Sequence, residues 1–303
     1  MKVPSSTGLS TVAWYNSGKI QNKGWEFNID IAAVKTKDWS FNFGFNISQN
    51  KNEILELPEN KNDELYTFGN KNYAYSVMMG DPLGSFYGYR YKGVYQNVEE
   101  TYAVNTSGQR ILDIDGNPVV MKNGDQKVYP GDARYEDVNG DGVIDENDIV
   151  YLGNSNPTLT GGLNFTLRYK KVSLVAAFHG RAGQKVINQA RMDMENMRGK
   201  NNQSVAVLRR WRSEGDDTDI PRALYDKGYN YLGSDRFVED ASFLRLKTVT
   251  LKYQMPAKWM KAIGVNKLEL YATGYDMFVW TKYKGQDPEV NLKLSLIHIS
   301  EPT

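Results

Sequence analysis

Hydrophobic and polar positions alternate strictly between Trp39 and Ser48, which read W-S-F-N-F-G-F-N-I-S. Aromatic and aliphatic residues occupy one parity, and small or polar residues occupy the other. A period of two predicts a β-strand with one apolar face and one small, uncharged face. This pattern suits a strand with lipid on one side and a water-filled lumen on the other, because a soluble sandwich strand usually carries charges opposite its core.

The same reasoning predicts an all-β fold, an antiparallel meander of about eight strands. The predicted strands span residues 24–35, 39–49, 72–79, 84–94, 161–170, 172–180, 242–254 and 266–279. Short turns alternate with long connections, which places all short turns at one end and all long loops at the other, as in outer-membrane barrels. Arg245 and Lys247 share the parity of apolar neighbours. We expect both near a rim or in the lumen, since a charge facing lipid at the midplane costs about 2–4 kcal/mol.

Charge and hydropathy narrow the class of protein. The chain of 303 residues has 37 Lys+Arg and 36 Asp+Glu, a net charge of +1, so no basic excess indicates nucleic-acid binding. The mean hydropathy of −0.58 is typical of soluble proteins. It is also compatible with a transmembrane barrel, because alternating strands average out to polar. The sequence contains no apolar run of about eighteen residues, so it predicts no membrane-spanning helix.

Reactive residues are few. Cysteine is absent, which excludes a disulfide scaffold and a Cys-based site, and the two histidines, His179 and His298, are far apart. His179 has no recognisable nucleophile or orienting partner near it in sequence, and we interpret it as a loop-edge residue. No motif singles out a pair of carboxylates for glycoside hydrolysis. We therefore expect no enzymatic activity.

Several segments resemble the C-terminal half of the SusC/RagA family of TonB-dependent outer-membrane transporters. They begin with NSGKIQNKGWEF and GDPLGSFYGYRYKGVYQ and end with LYATGYDMFVWTKYKGQDPEV. The matching segments, in family order, are residues 16–27, 80–96, 130–165, 219–223, 236–256 and 270–290. Together they are specific, although no single segment is.

The resemblance implies that residues 1–293 form part of a larger, 22-strand transmembrane β-barrel with long extracellular loops. The family's plug domain and TonB-contacting segment would lie upstream, and Met1 would be an internal or truncated start, in accord with an N-terminus that has no apolar signal-peptide core. The tail 294–303, LSLIHISEPT, resembles translated adapter read-through, although its composition also permits a strand. Alone, an open sheet would leave unpaired edges in hydrocarbon, so we expect no insertion by this chain alone.

Residues 137–148, D-V-N-G-D-G-V-I-D-E-N-D, have the spacing of an EF-hand-type calcium loop. Ca²⁺ takes six to eight oxygen ligands, and Gly142 permits the sharp turn at position 6. The candidate metal ligands are Asp137, Asn139, Asp141, Val143, Asp145 and Asp148. Aspartate stands at position 12, where a bidentate glutamate is usual, and no predicted helices flank the loop. We expect a structural Ca²⁺, with a cluster of Asx and glycine turns as the alternative.

Two other clusters have both functional and structural interpretations. The aromatic residues Phe86, Tyr87, Tyr89, Tyr91 and Tyr95 could stack on sugar rings, but we favour an interfacial girdle or barrel-wall packing. The basic run 209–212, followed by acids at 214, 216, 217 and 219, could contact a ligand or partner. We favour a solvated, self-paired cluster, whose ion pairs contribute little to stability.

The favoured function is part of an importer of oligosaccharides or peptides in the bacterial outer membrane. The resemblance implies a SusD-like surface lipoprotein as partner, energy supplied through the TonB complex, and contact with outer-membrane lipid. The alternatives are a soluble extracellular carbohydrate-binding β-sheet module braced by calcium, and a β-rich hydrolase. The sequence does not identify the substrate, because specificity in such barrels lies in plug and loop residues.

Overall fold

The computed structural model describes residues 18–57, 66–67, 73–75, 78–225, 227–262 and 264–289. The tail 294–303 and His298 lie outside the described residues. The strands are β1 (Lys19–Lys35), β2 (Trp39–Glu56), β3 (Tyr66–Thr67), β4 (Ala74–Tyr75), β5 (Ser85–Gly88), β6 (Tyr91–Val94), β7 (Lys122–Asn123), β8 (Gln126–Lys127), β9 (Ala133–Tyr135), β10 (Val143–Ile144), β11 (Val150–Asn154), β12 (Leu159–Tyr169), β13 (Val172–Ala182), β14 (Lys185–Ile187), β15 (Val238–Asp240), β16 (Phe243–Gln254) and β17 (Glu269–Thr281). The helices are α1 (Gln189–Glu195) and α2 (Ala257–Ala262), with 3₁₀ turns at Glu99–Thr101, Glu146–Asp148, Val205–Arg209 and Asp235–Phe237.

Six long strands form one large sheet in the order β1-β2-β12-β13-β16-β17, and every neighbouring pair is antiparallel. Short connections join β1 to β2 and β12 to β13, and a helical turn containing α2 joins β16 to β17. Long connections separate β2 from β12 and β13 from β16. The structure confirms the predicted antiparallel all-β fold and the alternation of short and long connections.

Two of the eight predicted strands do not belong to the large sheet. The predicted strand 84–94 divides into β5 and β6, which pair with β11 and β9 in the long connection. The described part of 72–79 contains only β4 of this small sheet. All four residues of β5 are buried, and an apolar run buried on both faces lacks the alternation of a wall strand. The predicted turn 80–83 instead pairs with the end of β2, where Gly80 N–H donates to the Ile54 carbonyl at 2.8 Å.

One face of the large sheet is apolar along every strand. Phe43 lies between Ile31 on β1 and Phe165 on β12, and the row continues through Ala176 and Val249. Nearer the short turns, the rings of Trp39 and Tyr169 lie 4.3 Å apart between centroids. Trp39 is 46% exposed, and Phe41, Phe43 and Phe45 are half-buried. The described residues therefore place no second protein layer over these rings.

A β-bulge in β16 explains the irregular parity around Lys247. Leu246 pairs with Phe178 and Thr248 pairs with Ala177, so Lys247 is the extra residue. A bulge shifts the side-chain parity by one residue. Arg245 consequently lies on the face opposite Leu246, while Val249 and Leu251 return to the apolar face. Strict alternation without a bulge predicts Arg245, Val249 and Leu251 on the same face of the sheet.

The long connections form their own hydrophobic core outside the large sheet. Its largest cluster includes Tyr95, Met121, Val128, Tyr135 and Leu232, which come from both long connections. In a second cluster the buried Tyr73 donates a hydrogen bond of 2.6 Å to the Ser234 carbonyl. These contacts hold the two connections together. Within the described ranges, no helix has the length and apolar character needed to cross a membrane.

Candidate functional site

The second face of the large sheet is lined by small and polar residues. Asp30, Gly44 and Asn164 lie in one row across β1, β2 and β12. A Cβ atom at Gly44 would lie 2.5 Å from Asp30 Oδ1 and 2.8 Å from the Asn164 amide. These two polar side chains thus cover the glycine and leave no room for a larger residue there.

A network of ion pairs lies at one end of this polar face. Arg245 is 6% exposed and contacts Asp287 at 2.6 Å and Glu289 at 2.9 Å. Lys247 lies 3.3 Å from Asp276. The network holds the segment after β17, which contains Asp287 and Glu289, against the sheet. Arg245 and Lys247 are therefore paired away from the apolar face, as their charges require.

His179 belongs to the same region rather than to a loop. It lies within β13 opposite Arg245, and its Nε2 is 3.9 Å from Glu289 Oε1. The interpretation of His179 as a loop-edge residue is therefore wrong, because β13 extends to Ala182.

The candidate calcium loop is closed by its own acidic side chains. Asp137 accepts hydrogen bonds from the N–H groups of Gly140 at 2.7 Å and Gly142 at 2.8 Å. Asp141 Oδ1 accepts from Val143 N–H at 2.8 Å, and Asp145 Oδ1 accepts from Asn147 N–H at 2.8 Å. The bonds of Asp141 and Asp145 are Asx turns, which join a side chain to the N–H two residues on, whereas Asp137 accepts from N–H groups three and five residues on.

Asp148 is the buried anchor of this loop. It is fully buried and accepts hydrogen bonds from Val138 N–H at 2.7 Å and Asp145 N–H at 2.9 Å. Burial raises the pKa of the Asp148 carboxyl, while the backbone hydrogen bonds act in the opposite direction. Asn139 lies beside Asp141, with its Nδ2 donating to Asp141 Oδ2 at 2.8 Å.

The donor set of the loop still fits a hard cation. A carboxylate has about four acceptor positions, and the turn bonds use only some of them on each aspartate. In the part of the chain that the structure describes, no group of three or more His, Asp or Glu side chains is already gathered as a metal site. Calcium binding by Asp137, Asn139, Asp141, Val143, Asp145 and Asp148 stays a prediction.

The aromatic cluster lies in the core of the long connections, so the interpretation as a girdle or wall is wrong. Tyr87 and Tyr95 are almost fully buried. Tyr87 donates to Asp81 Oδ2 at 2.5 Å, and Tyr91 donates to the Asp219 carbonyl at 2.6 Å. Burial raises the pKa of Tyr89 and of Tyr95 to about 12 each. These side chains are packed and paired, and they are not a free surface for stacking sugars.

The basic run is ordered by hydrogen bonds between its backbone and the Asp216 carboxylate. Asp216 Oδ2 accepts from the N–H groups of Arg212 and Ser213 at 2.7 and 3.0 Å. These bonds lower the pKa of Asp216. Trp211 packs against Gly131 in the other long connection, where a Cβ would lie 2.2 Å from its ring.

Replacing Gly131 by alanine is expected to destabilise the packing of the two connections. The residue has φ of +87°, and the added Cβ would clash with Trp211. The matched control is Gly108→Ala, where φ is +77° but nothing lies within 4 Å. Both variants carry the left-handed strain. We expect Gly131→Ala to cost about 1–3 kcal/mol more than the control in denaturant unfolding, and equal costs would contradict the contact.

A buried polar frame was not predicted from sequence. Arg222 binds Asp132 bidentately, with Nε donating to Oδ1 at 2.7 Å and a terminal nitrogen donating to Oδ2 at 3.1 Å. Asn230 donates to Asp132 Oδ1 at 3.2 Å and accepts from Ala133 N–H at 2.8 Å. The only sequence signal was the family resemblance of the segments 130–165 and 219–223 that contain Asp132 and Arg222.

Comparison with known proteins identifies relatives by sequence and by fold. No family model matches the chain. TonB-dependent receptor P26 of Formosa agariphila is 33% identical over 292 residues, which cover 95% of this chain and 27% of that protein. TonB-dependent receptor SusC of Bacteroides thetaiotaomicron is 27% identical over 301 residues, covering 96% of this chain and 26% of the receptor.

A solved structure of the RagAB peptide transporter has a TM-score of 0.68 at 24% identity and covers 95% of this chain and 28% of that chain. This likeness shows the fold. The chain thus spans about a quarter of the length of the curated relatives that it matches. The resemblance to the SusC/RagA family is thereby confirmed: the chain is homologous to a segment of the TonB-dependent receptors that include SusC.

Proposed function

We propose that the chain forms part of the barrel wall of a TonB-dependent importer in the bacterial outer membrane. The observation that carries this proposal is the continuous, exposed apolar face of the six-stranded sheet. An apolar face of this size is costly in water unless lipid or protein covers it. Lipid on this face and water along the polar face is the arrangement of a transmembrane barrel.

The edges of the sheet support a role within a longer receptor. Strands β1 and β17 each have one neighbour in the described sheet. Unpaired edges are not tolerated in hydrocarbon, so each edge strand requires a further strand beside it. The relatives, which are about four times as long as the matched segment, supply a length sufficient for closure.

The proposed cargo is an oligosaccharide or a peptide, taken up together with a SusD-like surface lipoprotein and energised through TonB. The names of the relatives support the class: SusC is a TonB-dependent receptor, and RagAB is a peptide transporter. The named relatives are receptors and transporters rather than enzymes. Binding and gating, with no bond made or broken, is the proposed chemistry.

The receptor that carries this segment is expected to fractionate with the outer membrane and to migrate faster in gels before boiling than after. Uptake of labelled oligosaccharides or peptides should depend on TonB and on the neighbouring lipoprotein. A receptor lacking this segment is the control. Recovery of a soluble protein that binds glycans without membranes would contradict the proposal and favour the extracellular module.

We also propose that the 137–148 loop binds a structural Ca²⁺. Weak extracellular calcium sites have dissociation constants of about 10⁻⁴–10⁻³ M. About 10 mM calcium should then raise the free energy of unfolding by about 1.4–2.7 kcal/mol. Asp141→Asn keeps an acceptor for Val143 N–H and removes a charge, so it should reduce this gain.

The matched control for calcium binding is Asp113→Asn, because Asp113 Oδ1 accepts from Asp115 N–H in an exposed Asx turn outside the loop. It should retain the full stabilisation by calcium. Thermal unfolding in calcium, in magnesium and in chelator makes the comparison. An equal response to both cations, or an unchanged gain in Asp141→Asn, would argue for Asx turns alone.

A further inference from the structure

A small cleft opens between the β7–β8 hairpin and residues 222–224 and 227–230. Its volume is about 170 Å³, and its lining includes Asn123, Lys127, Tyr129, Lys227 and Tyr229. We propose that this cleft binds one carboxylate-bearing residue of the imported molecule, with a hydrogen-bond donor of that residue directed at Asn123. The inference rests on the proposed function, since it names a chemical feature of the cargo.

The cleft has a rigid frame. Asp132 is buried and is satisfied by the Arg222 guanidinium, by Asn230 and by Tyr129 N–H. Tyr229 crosses to the hairpin, where its hydroxyl donates to Asp125 Oδ1 at 2.9 Å. A frame whose own polar groups are paired can hold a ligand without rearranging, which favours binding.

Two sets of polar groups in the cleft have no partner in this frame: the Asn123 side-chain oxygen and the ammonium groups of two lysines. Asn123 is 5% exposed, and its Oδ1 is buried with no hydrogen-bond partner among the described residues. Buried polar atoms in proteins are nearly always paired, and a turn of the Asn123 amide toward the cleft would let this orphaned acceptor take a donor from the ligand. Lys127 and Lys227 are exposed at the cleft, and the ion pairs found between described residues do not include either.

Charge and size define the ligand. Asp132 neutralises Arg222, and Asp125, which accepts from the Tyr229 hydroxyl, offsets one of the two lysines. The cleft therefore keeps a positive balance, which favours an anion. Ligand pockets are usually about 300–1,000 Å³, so a volume near 170 Å³ suits a single residue of a longer chain. A uronic acid unit offers a hydroxyl and a carboxylate, and a peptide C-terminal residue offers an N–H and a carboxylate.

Binding to the full chain in detergent, followed by saturation-transfer NMR titration, tests this inference. The acidic probes are galacturonate and N-acetyl-alanine, and their uncharged counterparts are galactose and N-acetyl-alanine amide. At least one acidic probe should bind ten times more tightly than its counterpart, and more weakly as salt rises. Preference for galacturonate would indicate an acidic glycan, and preference for N-acetyl-alanine a peptide end. Equal binding of acid and counterpart in both pairs would overturn the inference.

The double variant Lys127→Gln/Lys227→Gln should lose at least tenfold in affinity for the acidic probe. Lys122→Gln is the matched control, because this exposed lysine is on the same hairpin but outside the cleft lining. Asn123→Asp, nearly the same in shape, should also abolish binding by placing a carboxylate beside the anion. Wild-type affinity in the lysine variant would overturn the inference.

This binding assay requires neither a membrane nor TonB. A receptor that imports its cargo but does not bind acids in the cleft would lose only the inference. A chain that binds acids but belongs to no importer would contradict only the proposed function.

Discussion

Replacing Phe43 by arginine in the assembled receptor is expected to reduce its stability in bilayers by about 2–4 kcal/mol, the cost of a basic residue on the lipid face near the midplane. Phe43 lies in the middle of the apolar face, between Ile31 and Phe165. The neighbouring residues in this row are apolar, so the guanidinium of the new arginine would have no partner there. Loss of heat-modifiable migration or of outer-membrane assembly is the expected cellular result.

Asn42→Arg is the matched control, because it introduces the same charge one residue away on the polar face. We expect a change of about 1 kcal/mol or less, since water reaches that face in the proposed barrel. Denaturant unfolding in lipid vesicles, followed by tryptophan fluorescence, measures both variants. Equal costs for the two substitutions would mean that the apolar face does not contact lipid, and the proposed location would be wrong.

The sequence predicted the large sheet well because alternation is a local signal. Strand β2 has one aromatic face from Trp39 to Phe45, and its neighbour β12 repeats the pattern. The signal failed at two kinds of position. The bulge at Lys247 changes the parity within a strand, and the run Ser85–Gly88 is buried on both faces, so neither follows a simple period of two.

The site was predictable only where its residues are close in sequence. The turn bonds of Asp137 and Asp148 lie within one short loop, so the spacing of the aspartates indicated them. The Asp132–Arg222 pair joins residues 90 positions apart, and the Asn123 side-chain oxygen is buried without a partner only in the folded chain. No local pattern records such contacts, because two long connections must pack together before they exist.

The largest effect in the connections is expected from Glu195→Ala. Glu195 and Arg236 form a pair in which both side chains are at most 5% exposed, with 2.9 Å between the guanidinium and Oε2. Glu195 also accepts from Arg191 Nε at 2.9 Å. Removing the carboxylate leaves the Arg236 charge buried beside Tyr91 and Phe237. Breaking such a pair costs about 3–5 kcal/mol.

Amide hydrogen exchange of α1 should reveal this loss as local opening, faster by about a hundredfold or more. Glu99→Ala is the control, because its pair with Arg110 is exposed and should contribute about 0–1 kcal/mol. Glu195→Leu combined with Arg236→Met removes both charges and should recover most of the stability. If the double variant were as unstable as the single one, packing of Glu195 rather than the stranded charge of Arg236 would account for the loss.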